Sequence, residues 1–315
     1  MRYLIKKTGS AIITLVIVSF MTFGIFELIP GDPVTAKLGI EADQEQIEAL
    51  IQEHGLDKPF IVRYKNWVIS AIKGDLGMSL RFDEPVTKLI KDRVKVTAML
   101  TILSLSMTIM IAVPLSIFIA KYNNKLIGIL TSIATQVGMA VPSFWVGIMM
   151  TYFFGLTLRL FIPGRYVSVD DNFTEGMLYL FFPAVAIAIP KIATVIRYLR
   201  NAIVEQLEAN YVRTAYAKGF VFKGVMYRHV LRNALIPVIT IMGMMIADVL
   251  GGSLIIEQVF TIPGIGRLLV MAINNRDYFL VQGMVLYIAT IIIGINFLVD
   301  LIYHWIDPRI KIETL

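Results

Sequence analysis

The chain has 315 residues, of which 57% are hydrophobic and 17% charged, and its formal net charge is +6. This composition and a mean hydropathy of +0.73 exceed what a soluble globular domain of that length carries, so they exclude an ordinary soluble protein. The sequence contains no cysteine, which excludes a disulfide framework and a thiolate metal site and leaves the redox compartment undetermined. We therefore predict an all-α polytopic membrane protein.

Six apolar segments are long enough to cross a hydrocarbon core of about 30 Å, which takes about 20 helical residues. The third segment is too long for one straight span. Pro142 lies within it and is the predicted bend, because proline removes a backbone donor and clashes with the preceding turn. The six predicted transmembrane helices are 9–29, 97–120, 126–160, 177–197, 235–256 and 282–306.

The first apolar segment is preceded by Arg2, Lys6 and Lys7, a pattern that a signal peptide also shows. Its apolar run is longer than the roughly 7–15 residues of a signal-peptide core, and no small-residue cleavage site follows Glu27. We therefore interpret residues 1–30 as a retained N-terminal anchor helix.

Two amphipathic helices are predicted in the polar stretch 31–95, one at 43–54 and one at 58–73. Helices of this kind lie on the membrane surface or on the body of the protein. They either cap that surface or help to seat a partner that delivers a substrate, and the sequence leaves both interpretations open. Their apolar faces consist of Ile47, Leu50 and Ile51 in the first helix and of Phe60, Tyr64, Trp67, Val68 and Ala71 in the second.

The basic residues predict the orientation of the chain in the membrane. Loops rich in Lys and Arg remain in the cytoplasm, and the stretch 191–232 holds eight basic residues against only Glu205 and Glu208. Both termini are then cytosolic, and the stretch 31–95 is extracellular. Topology and anionic lipid headgroups account for the positive charge, so no nucleic-acid partner is inferred. The other basic positions that indicate a cytosolic side are Arg2, Lys6 and Lys7 at the start of the chain and Lys121 and Lys125 in the second connection.

The stretch 201–237, here called the basic segment, has the character of a docking surface for another protein, which makes transport the first hypothesis. Asn210 is a candidate N-cap for a short helix at 211–218, with Gly219 at the C-terminal cap position. A second short helix would run from about Val221 toward Asn233. Alternatively, one helix would present an apolar stripe at intervals of four residues, at Ile203, Leu207, Tyr211, Ala215 and Gly219.

Within the basic segment, the sequences RTAYAKG at 213–219 and RHVLRNALIP at 228–237 resemble the cytosolic "EAA" signature of ABC-importer permeases. The closest resemblance is to the dipeptide/oligopeptide/nickel permease group. In the general pattern a glycine follows the second alanine by four residues, and only Ala215 and Gly219 match it here. The proline of the general pattern is displaced to Pro237, a departure that is typical of the peptide/nickel group.

The resemblance extends over nearly the whole chain, because further short motifs occur in the family's order and spacing. It implies the type I importer permease fold, with six transmembrane helices and both ends in the cytosol. It divides the chain into the anchor helix 1–30, the extracellular segment 31–95 and a five-helix core 96–315 that includes cytosolic coupling helices at 201–235. The further motifs are IPGDP at 29–33, GDLG at 74–77, VPSFW at 141–145, VF at 259–260, PGIG at 263–266, RDY at 276–278, VQG at 281–283, VDL at 299–301 and DPR at 307–309.

The function that the resemblance implies is that of a permease subunit of an ATP-driven importer, in the plasma membrane of a bacterium or archaeon. It would form half of the pathway for dipeptides or oligopeptides, with nickel or a metal chelate as the alternative substrate. The implied partners are a second homologous permease, two ATP-binding cassette ATPases, an extracytoplasmic solute-binding protein and membrane lipid.

No phosphate-binding G-x-x-x-x-G-K-[ST] loop is present, so ATP hydrolysis is assigned to partners, and the chain is expected to be neither an enzyme nor a cofactor carrier. A secondary transporter is the alternative from another class, although similar inverted halves and a cluster of midplane acids are missing. An intramembrane enzyme is disfavoured, since H-E-x-x-H and G-x-S-x-G do not occur and His54, His229 and His304 lie far apart in the sequence.

Three groups of candidate functional residues follow from these observations. Polar groups in apolar spans are candidates for the pathway, and for Asp248 an interhelical hydrogen bond or a water-filled vestibule is the alternative. Pathway candidates are Asp248, Gln136, Ser143 and Asn296. Candidate contacts with the binding protein are Trp67, Asp75, Arg276 and Asp277. Candidate ATPase-coupling residues are Asn210, Tyr211, Arg213, Thr214, Ala215, Ala217, Lys218, Gly219, Arg228 and His229.

Overall fold

Long apolar helices make up most of the computed structural model, which describes residues 2–28, 37, 43–53, 55–122 and 126–306. Within these residues the only β-type pairing is an isolated bridge between Met78 and Pro85. The motifs at 29–33 and 307–309, and also His54, lie outside the described residues. The first helices are α1 (Arg2–Leu28), α2 (Gln44–Glu53), α3 (Phe60–Ile72), α4 (Val86–Lys121), α5 (Leu126–Ala140) and α6 (Ser143–Met150).

A π-helical stretch, Thr151–Thr157, continues α6, and a second one, Met226–Val230, interrupts the later part of the chain. The remaining helices are α7 (Phe173–Glu208), α8 (Asn210–Ala217), α9 (Phe222–Val225), α10 (Leu231–Val259), α11 (Ile265–Asn274) and α12 (Tyr278–Ile306).

Among the residues that the structure describes, five helices are long and apolar enough to span a membrane, and a bent pair brings the number to six when it is counted as one span. The bent pair is α5 with α6 and its π-helical continuation, and the two arms meet at 92°. Pro142 lies at the break in extended conformation, with φ −66° and ψ 138°, and caps α6. The predicted bend at Pro142 is therefore confirmed, as is the polytopic all-helical class.

Contacts divide the chain into two compact units, one comprising residues 1–97 with 263–294 and the other residues 98–262 with 295–315. The division into anchor, extracellular segment and core concerns position across the membrane, and it stays a prediction.

In the first unit, the aromatic face of α3 packs against α1. The rings of Phe23 and Trp67 have centroids 5.9 Å apart, and Tyr64 contacts both Phe20 and Phe23. The hydroxyl groups of Ser19 and Tyr64 share a hydrogen bond of 2.9 Å. The sequence predicted that this amphipathic helix lies either on the membrane surface or on the body of the protein. Its aromatic face packs on the body of the protein.

In the second unit, α7 is the central helix, and α10, α5 and α6 all pack on it. Small residues allow the close approaches. A Cβ atom at Gly138 of α5 would lie 2.9 Å from the Cβ of Ala193 in α7. A Cβ atom at Gly243 of α10 would lie 2.2 Å from a methyl group of Val299 in α12, so only glycine fits there.

Candidate functional site

The basic segment contains a short helix and the start of a second helix, separated at Gly219, as one of the two sequence interpretations predicted in part. Ala209 breaks α7 from α8 in extended conformation, with φ −66° and ψ 146°. Ala209 is thus the N-cap residue, and the prediction of Asn210 in that position is wrong. Asn210 is the first residue of α8, and its carbonyl accepts a hydrogen bond of 3.2 Å from the Thr214 hydroxyl. The break at Ala209 also excludes a single continuous apolar stripe.

Gly219 ends α8 in the way that the sequence predicted. Its φ of +85° lies in the left-handed region, which glycine adopts without the steric cost that a Cβ imposes. The N–H of Gly219 donates to the carbonyl of Tyr216 at 2.9 Å, and the N–H of Phe220 donates to the carbonyl of Ala215 at 3.2 Å. These two bonds form a Schellman motif, which satisfies carbonyl groups at the end of the helix.

The second helix of the basic segment does not end near Asn233, and that prediction is wrong. It begins at Phe222, passes through the π-helical stretch 226–230 and continues directly into α10. Pro237 lies inside α10, within the span predicted at 235–256. The proline removes only the hydrogen bond to the carbonyl of Asn233.

The residues of the basic segment divide into an inner and an outer set. Val212 and Ala215 are buried, as are Val225, Met226 and Val230. The Tyr211 hydroxyl donates to the side-chain oxygen of Gln206 at 2.7 Å, and the half-buried His229 ring contacts the ring of Phe220 with centroids 5.7 Å apart. These residues hold the segment together, whereas the remaining predicted coupling residues are exposed: Asn210, Arg213, Thr214, Ala217, Lys218, Gly219 and Arg228.

Sequence reasoning missed an apolar part of this surface. Val221 is 73% exposed and Tyr227 is 56% exposed, and both lie among basic residues. The stretch 209–237 contains no Asp or Glu. The outer surface of the stretch 209–237 therefore combines exposed apolar side chains with basic residues and no acidic ones. The basic residues are Arg213, Lys218, Lys223, Arg228 and Arg232.

Asp248 forms an ion pair with Lys191 between α10 and α7. Lys191 lies inside α7, within the span predicted at 177–197, although the sequence also counted it with the basic residues of the cytosolic stretch 191–232. The sequence offered an interhelical hydrogen bond as one alternative for Asp248. The structure shows such an interhelical contact, and the partner of Asp248 in it is the charged side chain of Lys191.

Two further pathway candidates lie on helices that pack against α7. Gln136 of α5 lines a cavity of about 200 Å³ together with Arg197 and Arg200 of α7. Ser143, the first residue of α6, lies beside α10, with its hydroxyl 4.0 Å from where a Cβ of Gly252 would be. Asn296 is exposed on α12, and the structure does not bring it together with the others.

The four predicted contacts for a binding protein fall into two pairs. Asp75 and Arg276 are exposed and stay candidates. Asp277 is 1% exposed and accepts a hydrogen bond from the Ser79 hydroxyl and one from the N–H of Leu280 at 3.2 Å. The Asp277 carboxylate thus connects the turn after residue 79 to the start of α12 through hydrogen bonds. Because Asp277 is buried, the surface role predicted for it is wrong.

Trp67 is 8% exposed and belongs to the aromatic contact between α3 and α1, which corrects its predicted surface role as well. Glu257 is fully buried near the end of α10. Among the described residues, no group of three or more His, Cys, Asp or Glu is arranged to hold a metal ion.

Comparison with known proteins covers almost the whole chain. Residues 112–312 match the family model described as binding-protein-dependent transport system inner membrane component. Residues 1–101 match the model for the N-terminal part of the membrane component of the same systems.

Individual relatives match this chain over nearly their full lengths. An oligopeptide transport system permease protein of Bacillus subtilis (strain 168) is 34% identical over 312 residues, covering 98% of this chain and 99% of the relative. A putative peptide transport system permease protein of Brucella abortus (strain 2308) is also 34% identical, with the same coverage. A probable peptide ABC transporter permease protein of Sinorhizobium fredii (strain NBRC 101917 / NGR234) is 32% identical, covering 98% and 99%. Together with the helical membrane fold, these matches show that the chain belongs to the family of binding-protein-dependent transport system inner membrane components.

Proposed function

We propose that this chain is the permease subunit of an ATP-driven importer and forms half of a pathway for short peptides. The relatives are named as peptide or oligopeptide permeases over 98% or more of both chains, and this favours peptides over nickel. The second half of the pathway is a homologous permease, and an extracytoplasmic binding protein delivers the substrate.

The observation that carries this proposal is the mechanical connection of the basic segment to two core helices. Its second helix continues without a break into α10, and its first helix is separated from α7 by the single residue Ala209. Because α7 and α10 pack on one another, a displacement of the segment moves both. A bound protein that changes shape can therefore move the helices that carry Lys191 and Asp248.

The partner that docks on the basic segment is an ATPase subunit in the cytosol. The exposed surface offers Val221 and Tyr227 for apolar contact, and the charged residues of the stretch 209–237 are all basic. An ATPase cleft with an acidic rim is electrostatically complementary to this surface. The same charges support a cytosolic position for the segment and for both termini, because loops rich in Lys and Arg remain in the cytoplasm.

Alternating access follows from this arrangement. When ATP binding closes the two ATPase subunits, the basic segments of the two permeases move toward each other. The rigid connection to α7 and α10 then opens the pathway toward the binding protein, and hydrolysis reverses the movement. The chain itself binds no nucleotide in this scheme and requires no cofactor.

Uptake measurements in cells lacking this chain test the substrate. Labelled dipeptide, oligopeptide and nickel are supplied in parallel, before and after complementation with the wild-type gene. We expect uptake of peptide to fail and to return on complementation, with nickel uptake unchanged. If only nickel uptake fails, the peptide assignment is wrong.

Reporter fusions test the proposed orientation. A fluorescent protein that folds only in the cytosol is fused after residue 315, and alkaline phosphatase, active only outside, is inserted at the exposed position Gly74. We expect both fusions to be active. If instead the fluorescent protein is active at Gly74 and inactive after residue 315, the proposed topology is wrong and the opposite orientation holds.

A further inference from the structure

An ion pair between Lys191 and Asp248 lies where charged groups are unusual. Asp248 lies inside the apolar run 235–256 of α10, and Lys191 follows Pro190 within the membrane-spanning part of α7. Charged side chains at this depth pair with one another and face a bundle interior or a water-filled cavity, because lipid does not solvate them.

The two partners are covered to different extents. The side chain of Lys191 is 18% exposed, whereas that of Asp248 is 67% exposed. The lysine therefore approaches the carboxylate from within the protein and leaves its outer side open. A carboxylate has about four lone-pair sites, so one ammonium group leaves acceptors available for a second donor.

The open side of Asp248 belongs to a continuous uncovered face of α10. Met244 is 65% exposed and Ile255 is 53% exposed, one on each side of Asp248. Because a carboxylate in the middle of this face excludes lipid as its neighbour, the face borders water or another protein. The exposed residues recur at helical intervals, at Pro237, Met244, Asp248, Gly251, Ile255 and Gln258.

We propose that Asp248, held from behind by Lys191, binds the primary ammonium group of a peptide while it passes along α10. The proposal rests on the peptide function given above and assigns a binding group within it. Charge-assisted hydrogen bonds from ammonium to carboxylate are stronger than neutral ones. The substrate shares the carboxylate with Lys191. Because the lysine already compensates the charge of Asp248, the substrate is bound weakly enough to leave again.

The ammonium group has two sources in a peptide, its N-terminus and a lysine side chain. The test measures uptake in cells that carry the wild-type chain or Asp248→Asn, and it expresses each rate as variant over wild type. The binding protein is the same in both strains, so its own preference cancels in this ratio. One arm compares Ala-Lys-Ala with the same peptide acetylated on the lysine, and the other compares Ala-Ala-Ala with its N-acetyl form.

Asp248→Asn keeps the shape and the polarity of the side chain but removes its charge. We expect it to lower uptake of the peptide with the free ammonium group about tenfold more than uptake of its acetylated form, in at least one arm. The arm that responds identifies the source of the group. Met244→Leu, on the same exposed face, is the matched control. We expect its uptake rate relative to wild type to stay near one for both the free and the acetylated peptide.

The double variant Lys191→Asp with Asp248→Lys separates this binding role from a purely structural one. It keeps an ion pair between α7 and α10 but moves the carboxylate away from the open face. We expect normal amounts of protein in the membrane, measured by immunoblot, with the ammonium-selective loss still present.

Equal losses for free and acetylated peptides in both arms, or recovery of the wild-type ratios in the double variant, would overturn the proposal. Unchanged ratios in Asp248→Asn would overturn it too. A failure of the proposed peptide function would show in a different measurement. In that case cells with and without the wild-type chain would take up peptide equally.

Discussion

At the scale of single residues, the connection between α8 and α9 depends on Gly219. Its φ of +85° and its N–H bond of 2.9 Å to the carbonyl of Tyr216 are both needed for the Schellman motif. A residue with a Cβ pays about 1–2 kcal/mol for the left-handed conformation, and asparagine tolerates it better than most.

Gly219→Pro should uncouple transport from ATP hydrolysis. Proline cannot adopt a positive φ and has no N–H to donate, so the turn between α8 and α9 must change. We expect normal amounts of the protein in the membrane and persistent ATPase activity, with peptide uptake lowered by at least about tenfold. Gly219→Asn is the control and keeps most of the uptake. Normal uptake by Gly219→Pro would refute the docking role of the basic segment.

The exposed charges of the basic segment give a second prediction at this scale. Arg213→Glu combined with Lys218→Glu reverses two exposed positive charges, so an acidic ATPase rim would be repelled. We expect less ATPase to co-purify with the chain in mild detergent. Lys73→Glu, an exposed change outside the segment, serves as the control. Co-purification that is equal in both variants would contradict the proposed contact.

Residue roles could be predicted from the sequence where their causes are local. Gly219 was recognised because the cap of a helix depends on a few adjacent residues. The burial of Asp277 was missed, because one of its hydrogen-bond donors, Ser79, is 198 positions away. The pairing of Lys191 with Asp248 was missed for the same reason, since the two residues are 57 positions apart.

At the scale of elements, the spans were predictable because hydropathy is a property of one stretch of chain. The bend between α5 and α6 followed from Pro142 in the same way. The end of the second short helix did not, because π-helical geometry at 226–230 and continuation into α10 depend on the neighbours of these residues, α7 among them. Pro237 lies inside α10, as the predicted span 235–256 requires.

Close packing of α10 against α12 provides a prediction at this scale. A Cβ at Gly243 would lie 2.2 Å from a methyl group of Val299, whereas a Cβ at Gly251 of the same helix meets no atom within 4 Å. Gly243→Ala should lower the midpoint of thermal unfolding in detergent, because overpacking costs about 1–3 kcal/mol. Gly251→Ala should leave it unchanged or raise it, since alanine favours helix by about 1 kcal/mol. Equal midpoints for the two variants would contradict the described packing.

At the scale of the whole molecule, membership of the family and the helical membrane fold are established by the matches along the chain. The peptide substrate, the cytosolic position of the basic segment and the ATPase partners are proposals that rest on the exposed basic surface and its connection to α7 and α10. A secondary transporter would use an ion gradient in place of ATP.

Reconstitution into liposomes tests the central claim most directly. The complex is purified through a tag on this chain, and entry of a labelled peptide is measured with the binding protein outside and ATP inside. Ionophores collapse every ion gradient in a parallel sample. We predict accumulation that requires hydrolysable ATP and the binding protein and is insensitive to the ionophores. Uptake that proceeds without ATP and stops when the gradients collapse would contradict the account.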